Sequence, residues 1–330
     1  MFLRLSVCLF LLSMALAPAG AEGLLVAPNR YGGFYTAGEK VVLVAQHASG
    51  PIEYQVSNAQ DAVLSVGEAR PDREGSANVT LDSRKLAGWY SVTVRQGGQS
   101  AAGSFVVIPR SHDPAPTGPS IFGAIVTLPP DMREMDGMAK SLRLAGVRSV
   151  LIAGGSGANS GAFADAALRE GLQIAPTGSP VPARGAMQLS PAKAYATQLA
   201  LSGGQVLYYP WNLGDAASLV TPDGCPRLAA MEYRLAAEQL DGAKFVRKLK
   251  LGADLTGFEF LRGDDRFVAA WSDTAGRAAE VKITSSSDLI AVDAFGRIHS
   301  VPEDLATVTL HLTNQPVMFH GVDEDFWLEG

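Results

Sequence analysis

Between Ile121 and Leu213, strand-length apolar runs alternate with helical periods, and this alternation limits what the chain can fold into more than any other feature. Ile121–Leu128, Val147–Ala153, Leu172–Pro176 and Gln205–Leu213 read as strands. Helical patterns at Asp131–Ala145, Ala162–Glu170 and Pro191–Leu201 separate them, with Met135, Met138, Ala139, Leu142 and Ala145 on one face of the first. Gly146 and Gly171 stop the first two helices and Gly203-Gly204 the third. Ser190 stands where a cap belongs, with Pro191 in the first helical position, where proline is tolerated. Strands joined through helices run parallel, so the spacing predicts a four-stranded α/β unit, followed by a last helix at Leu228–Leu240.

The flanks have a different period. Lys40–Gln46, Ile52–Ser57, Ala62–Val66, Ser76–Leu81, Gly88–Arg95 and Gly103–Ile108 are short β-rich runs separated by turn residues, as in a sandwich. Val41, Leu43 and Ala45 alternate with Val42 and Val44, so both faces of that strand are expected to be covered. The run Ala87–Val94 resembles the penultimate strand of an immunoglobulin-like sandwich. Its Trp89 and Tyr90 suit core or corner packing, or contact with a ligand. Pro109–Pro119 holds four prolines and reads as a linker. Residues 242–330 carry seven further alternating runs from Lys244–Leu251 to Val317–Phe319, a second antiparallel sandwich. The expected class is multidomain α/β plus all-β. Its parts are a leader at 1–21, a sandwich at 22–109, a linker at 110–119, a βα domain at 120–241 and a sandwich at 242–330.

Met1–Ala21 has the form of a secretory signal peptide: Arg4, an apolar stretch from Leu5 to Leu16, and small residues before Glu22. A secreted or periplasmic protein is expected, with no membrane insertion after cleavage. Loss of the leader leaves Cys225 as the single cysteine, so no disulfide framework supports the fold. His47, His112, His299, His311 and His320 show no ligand spacing, and neither a metal nor another cofactor is expected. The formal charge is −6 and no basic patch interleaves with aromatics, which argues against nucleic acid as a partner. Gly154-Gly155-Ser156-Gly157 lies in a glycine-rich loop (154–161). It lacks the order of a dinucleotide-binding fingerprint, and strand Leu172–Pro176 ends without a carboxylate.

Several stretches, in this order, resemble secreted clan-A glycoside hydrolases, in which a (β/α)₈ barrel precedes a C-terminal β-sandwich. Val206-Leu207-Tyr208-Tyr209-Pro210-Trp211-Asn212 is similar to their last barrel strand. Thr221–Arg227, leading into Ala229–Leu240, is similar to their passage into the last helix, with arginine where lysine is usual. Leu240–Val246, Phe267–Asp273 and Val292–Gly296 are similar to segments of the sandwich. The resemblance implies a truncated barrel. About 100 residues separate the first strand from the last, whereas a full barrel takes roughly 250. The family's two catalytic glutamates belong to the missing middle. No Asn-Glu pair occurs in 118–215, where the glutamates are Glu134 and Glu170, both at helical surface positions.

Candidate site residues follow from the strand ends: Asp131, Asn159, Thr177, and Trp211, Asn212 and Asp215 around the last strand. If first and last strands pair, Asp131 and Asp215 become neighbours that could act as a carboxyl pair, although one also reads as a helix cap and the other as a turn residue. Trp211, with Tyr209 on the same side and Tyr208 on the other, offers an aromatic face to sugar C–H groups or a filling for the core. Three functions are therefore expected in descending order: a carbohydrate-binding protein without catalysis, a hydrolase using Asp131 and Asp215, and an inactive remnant prone to self-association through exposed sheet edges. Polysaccharide or oligosaccharide is the expected partner.

Overall fold

The computed structural model describes residues 23–109, 120–129, 131–154, 158–176, 190–251, 254–274, 279–284, 289–294, 296, 298–301, 308–322 and 327–329. The leader and the 110–119 linker lie outside the described residues. Among those described, no helix is long and apolar enough to cross a membrane.

The first part contains β1 (Leu25–Pro28), β2 (Phe34–Thr36), β3 (Lys40–Gln46), β4 (Ile52–Asn58), β5 (Val63–Ala69), β6 (Ala77–Asp82), β7 (Gly88–Gln96) and β8 (Gln99–Ile108). Strands β1-β3-β6 form one sheet and β2-β8-β7-β4-β5 the other. Alternation drives the pairing: Val41, Leu43 and Ala45 of β3 are fully buried and meet Val56, Val92, Val94 and Phe105 in a core between the sheets. Val42 and Val44 are half-buried. Tyr90 packs into this core, and its hydroxyl accepts from Ala87 N–H (2.9 Å) and donates to Ala87 C=O (3.0 Å), which closes a corner. Strands β1 and β2 had no counterpart in the sequence reading.

The central part contains β9 (Phe122–Val126), α1 (Met135–Leu144), β10 (Ser149–Ile152), α2 (Ala158–Arg169), β11 (Gln173–Ile174), α3 (Pro191–Ser202), β12 (Leu207–Pro210) and α4 (Leu228–Leu240). Its four strands are parallel in the order β11-β10-β9-β12, so the first and last strands of the unit lie side by side. All helices pack on one face. Phe122, Ala124, Val126, Val150, Leu207 and Tyr209 join a core with Met138, Phe163, Tyr195 and Tyr233 from the four helices. The opposite face carries a small separate cluster of Ile125, Leu151 and Tyr208. A doubly wound sheet has helices on both faces, whereas the described helices of this unit cover one face only. Ser190 occupies the cap position of α3, but its hydroxyl makes no capping hydrogen bond. Helix α2 begins at Ala158, inside the stretch expected to be a loop.

Both edges of the parallel sheet are blunted. Strand β11 is two residues long. In β12, Leu207 and Trp211 direct their N–H groups to Ile121 and Ile125 (2.9 and 2.8 Å), so Tyr208 and Pro210 face away from β9. Proline has no N–H to offer a passing strand, and the Pro210 carbonyl is taken by Leu219 N–H at 3.0 Å.

The last part is built from β13 (Lys244–Lys248), β14 (Leu255–Arg262), β15 (Asp265–Ser272), β16 (Ala279–Thr284), β17 (Leu289–Val292), β18 (Ile298–Val301), β19 (Val308–Leu312), β20 (Val317–His320) and β21 (Trp327–Glu329). Strands β13-β14-β15-β20-β17-β18 form one sheet and β19-β16-β21 the other. Leu255, Val268, Ala270, Leu312 and Phe319 lie in a core of their own, whereas Phe258, Phe260, Phe267 and Trp271, on the other face of the large sheet, join the core of the central part.

Candidate functional site

The carboxyl ends of adjacent parallel strands collect the loop residues that follow them, and ligands commonly bind there. Asn212, just past β12, accepts from Thr127 N–H (2.8 Å) and donates back to Thr127 C=O (2.7 Å). Its amide nitrogen also donates to the Tyr31 hydroxyl at 2.8 Å. This buried side chain extends the β9–β12 ladder by one rung and ties it to the amino-terminal sandwich. Burial raises the Tyr31 phenol pKa, against the Asn212 hydrogen bond, which lowers it.

Trp211 is fully buried. The loop Tyr31–Phe34 lies over it: the Phe34 ring is 5.9 Å away centroid to centroid, and a Cβ on Gly32 would meet the indole at 3.2 Å. The ring therefore fills the core, the second of the two roles open to it. Its indole N–H has no hydrogen-bond partner among the described residues.

Tyr209 is also buried on the helix side, 6.4 Å from Tyr233, with a pKa pushed up to about 12 by burial, then by the charges of Glu232 and Asp215. Phe122 stacks on Tyr195 at 4.1 Å, and the hydroxyls of Tyr195 and Tyr233 both donate to the Gly123 carbonyl (3.0 and 3.2 Å). Tyr208 points to the opposite face, where its hydroxyl is 3.0 Å from Ser149 Oγ. Its ring lies over Gly123, where a Cβ would come within 2.7 Å. Period-two alternation along β12 thus sends Tyr209 and Trp211 into the helix-side core and Tyr208 into the small cluster on the opposite face, where it is also buried.

Each candidate carboxylate is held locally. Asp131 caps the 3₁₀ turn Met132–Glu134 through Arg133 N–H (2.9 Å) and pairs with the Arg133 guanidinium (2.6 Å), whose hydrogen bonds lower its pKa. Asp215 accepts from Ser218 Oγ at 2.7 Å. No hydrogen bond or ion pair links the two. Glu134 is exposed, and Glu170 pairs with Arg143 at 3.3 Å. Asn159, expected on a loop, is the second residue of α2 and half-buried. Thr177 lies outside the described residues. Cys225 is a buried thiol, its pKa raised by burial. Among the described residues, no group of three or more His, Cys, Asp or Glu is placed to hold a metal.

A buried carboxylate, Glu232, and a half-buried one, Glu39, escaped the sequence reading. Glu232, on α4, is 5% exposed; Gln315 Nε2 donates to its Oε1 at 3.1 Å, and the Ser190 hydroxyl and Lys193 ammonium lie nearby. Burial, against the Ser190 hydroxyl and the Lys193 charge, raises its pKa to about 7. Glu39 receives Arg30 (3.0 Å) and Lys140 (2.6 Å) at the junction of β2 with α1. Burial works to raise its pKa, but these hydrogen bonds hold it at about 2. Apolar surroundings assembled from distant segments leave no trace in local spacing.

No protein-family model matches the chain, and no curated protein matches it. Among solved structures, the fold is similar to a family 39 glycoside hydrolase from the gut symbiont Bacteroides cellulosilyticus WH2, with a TM-score of 0.59, 11% identity, and coverage of 89% of this chain and 99% of that one. A GH30 endoxylanase from Clostridium papyrosolvens C71 (TM-score 0.34, 14% identity, 60% and 56% coverage) and a putative α-galactosidase/melibiase from Bacteroides fragilis (0.35, 10%, 91% and 98%) align at scores too low to bear on the fold. The chain has a mixed α/β, glycoside hydrolase-like fold. At 11% identity the likeness is one of fold alone.

Proposed function

We propose that this is a secreted carbohydrate-binding protein on a reduced glycoside hydrolase frame, without the hydrolytic glutamate pair. The observation that carries the reading is the sheet order β11-β10-β9-β12 with every helix on one face. In a closed eight-stranded barrel the first strand is flanked by the second and the eighth. The unit 120–241 therefore corresponds to strands one to three and eight, with the middle absent and sandwiches at 22–109 and 242–330 on either side. Retaining hydrolysis needs two carboxyls about 5 Å apart. The acids near the strand ends are engaged by Arg133 and Ser218 instead.

A glycan array and insoluble-polysaccharide pull-down with the purified protein, run beside a hydrolysis assay on every glycan retained, test the proposal. Retention without release of reducing sugar is the expected result. A folded protein that retains no glycan would overturn it. The adjacency of β9 and β12 brings the segments bearing Asp131 and Asp215 to one end of the sheet and favours one alternative, a weak hydrolase. Hydrolysis abolished by Asp131→Asn with Asp215→Asn would establish that alternative.

A further inference from the structure

A cleft of about 250 Å³ opens where all three parts of the molecule meet. The turn after β4 contributes Asn58 and Gln60, the approach to β7 Lys85 and Trp89, helix α4 Met231, and the turn after β17 Gly296. Its volume falls below the ~300–1,000 Å³ of sites for drug-sized ligands and suits one small polar unit.

The chemistry of the walls is one-sided. Trp89 spends its indole N–H on the Pro226 carbonyl (2.7 Å), which also accepts from Ser104 Oγ (2.6 Å). The ring is thereby fixed in place, partly buried, with its π-surface as what remains to offer. Asn58 Oδ1 holds its own turn by accepting from Gln60 N–H and Ala62 N–H, both at 3.0 Å, which leaves the amide hydrogens as its unused capacity. The Ala87 N–H and C=O are both occupied by the Tyr90 hydroxyl. Gln60 and Lys85 are exposed, and Lys85 forms no ion pair among the described residues. No Asp or Glu is among the described lining residues, and Asp82 is a nearby carboxylate that interacts with Lys85. Sugar hydroxyls both donate and accept, and a site for a neutral sugar needs acceptors as well as donors. Among the described lining residues the one charged group is the Lys85 cation, set beside the amides of Asn58 and Gln60 and the aromatic surface of Trp89.

We infer that this cleft binds a single anionic sugar unit, a hexuronate within a glycan, with ring C–H groups against Trp89 and its carboxylate on Lys85 and the amide donors. The inference rests on the carbohydrate-binding role proposed above and names a site and a sugar class for it.

Calorimetric titration of the purified protein with short galacturonate and glucuronate oligomers, and with cello-oligomers as the neutral control, tests it. Lys85→Ala is expected to weaken uronate binding by about tenfold, as loss of one charge-assisted hydrogen bond does, while Lys85→Arg retains it. Both positions mutated, Gln60 (to Ala) and Lys85, are exposed, so unchanged melting temperatures check that the fold survives. Uronate binding untouched by Lys85→Ala and Gln60→Ala would place the sugar elsewhere and overturn this inference while sparing the carbohydrate-binding role. Preference for the neutral oligomers would overturn the sugar class. If neither kind binds, this inference is overturned, and the glycan array decides the carbohydrate-binding role on its own.

Discussion

Glu232 carries a pH dependence that can be measured directly. Its pKa in the folded protein is about 7 against an ordinary 4.5, so between these values the folded state keeps a proton that the unfolded chain releases. Stability should therefore fall as pH rises from about 4.5 to about 7 and level off above, a loss of about 3 kcal/mol from this group. Glu232→Gln keeps an acceptor for Gln315, removes that slope and gains stability at pH 8, as urea titrations at several pH values would show. Trp211 provides the second residue-scale prediction. Trp211→Ala empties a fully buried site and should cost about 3–5 kcal/mol. Trp211→Phe removes an indole N–H that has no described partner and should cost far less. Loss of glycan binding in the alanine variant alone would thus report damage to the fold; loss in the phenylalanine variant, with stability kept, would point to a contact with the sugar.

Between elements, glycines set how closely the central helices approach one another. Gly146 ends α1 with φ +89°, and a Cβ there would lie 2.5 Å from the Ala237 Cβ of α4. Gly146→Ala combines left-handed strain with overpacking and should destabilise by about 2–4 kcal/mol, measured by chemical denaturation. A neutral result would mean that α1 and α4 can separate at no cost. The sequence marked this glycine as a helix stop, because a stop is a local signal. Its second role, letting α4 close on α1, depends on a helix some 80 residues away and was not legible. The same distinction applies to β12. Apolar alternation identified the strand, whereas the edge protection by Pro210 and Leu219 required knowing that β9 lies on its other side.

Across the whole molecule, a single apolar core runs from Phe34 and Val106 of the first sandwich, through the central helices, to Phe260 and Trp271 of the last. The amino-terminal sandwich also has a core of its own. A fragment of residues 23–109 should therefore fold alone, whereas residues 120–241 should not, because on both sides their buried surface is completed by the neighbouring parts. Amide-proton dispersion in two-dimensional NMR distinguishes the outcomes, and a well-dispersed spectrum from 120–241 would refute the shared-core argument.

What the sequence determined by itself is the set of features encoded over a few residues. Periodicity placed α4 at Leu228–Leu240 and β3 at Lys40–Gln46, and alternation put Tyr209 and Trp211 on one side with Tyr208 on the other. Which of those sides meets the helices and which joins the smaller cluster with Ile125 and Leu151 was decided only by the tertiary structure. A period of two states that neighbours point apart, but not what each one meets. The loop Tyr31–Phe34 covers Trp211 from nearly 180 residues upstream, and Glu232 is buried by segments on either side of it in the chain. Burial is a property of the assembled fold, so the roles that depend on it became visible only there.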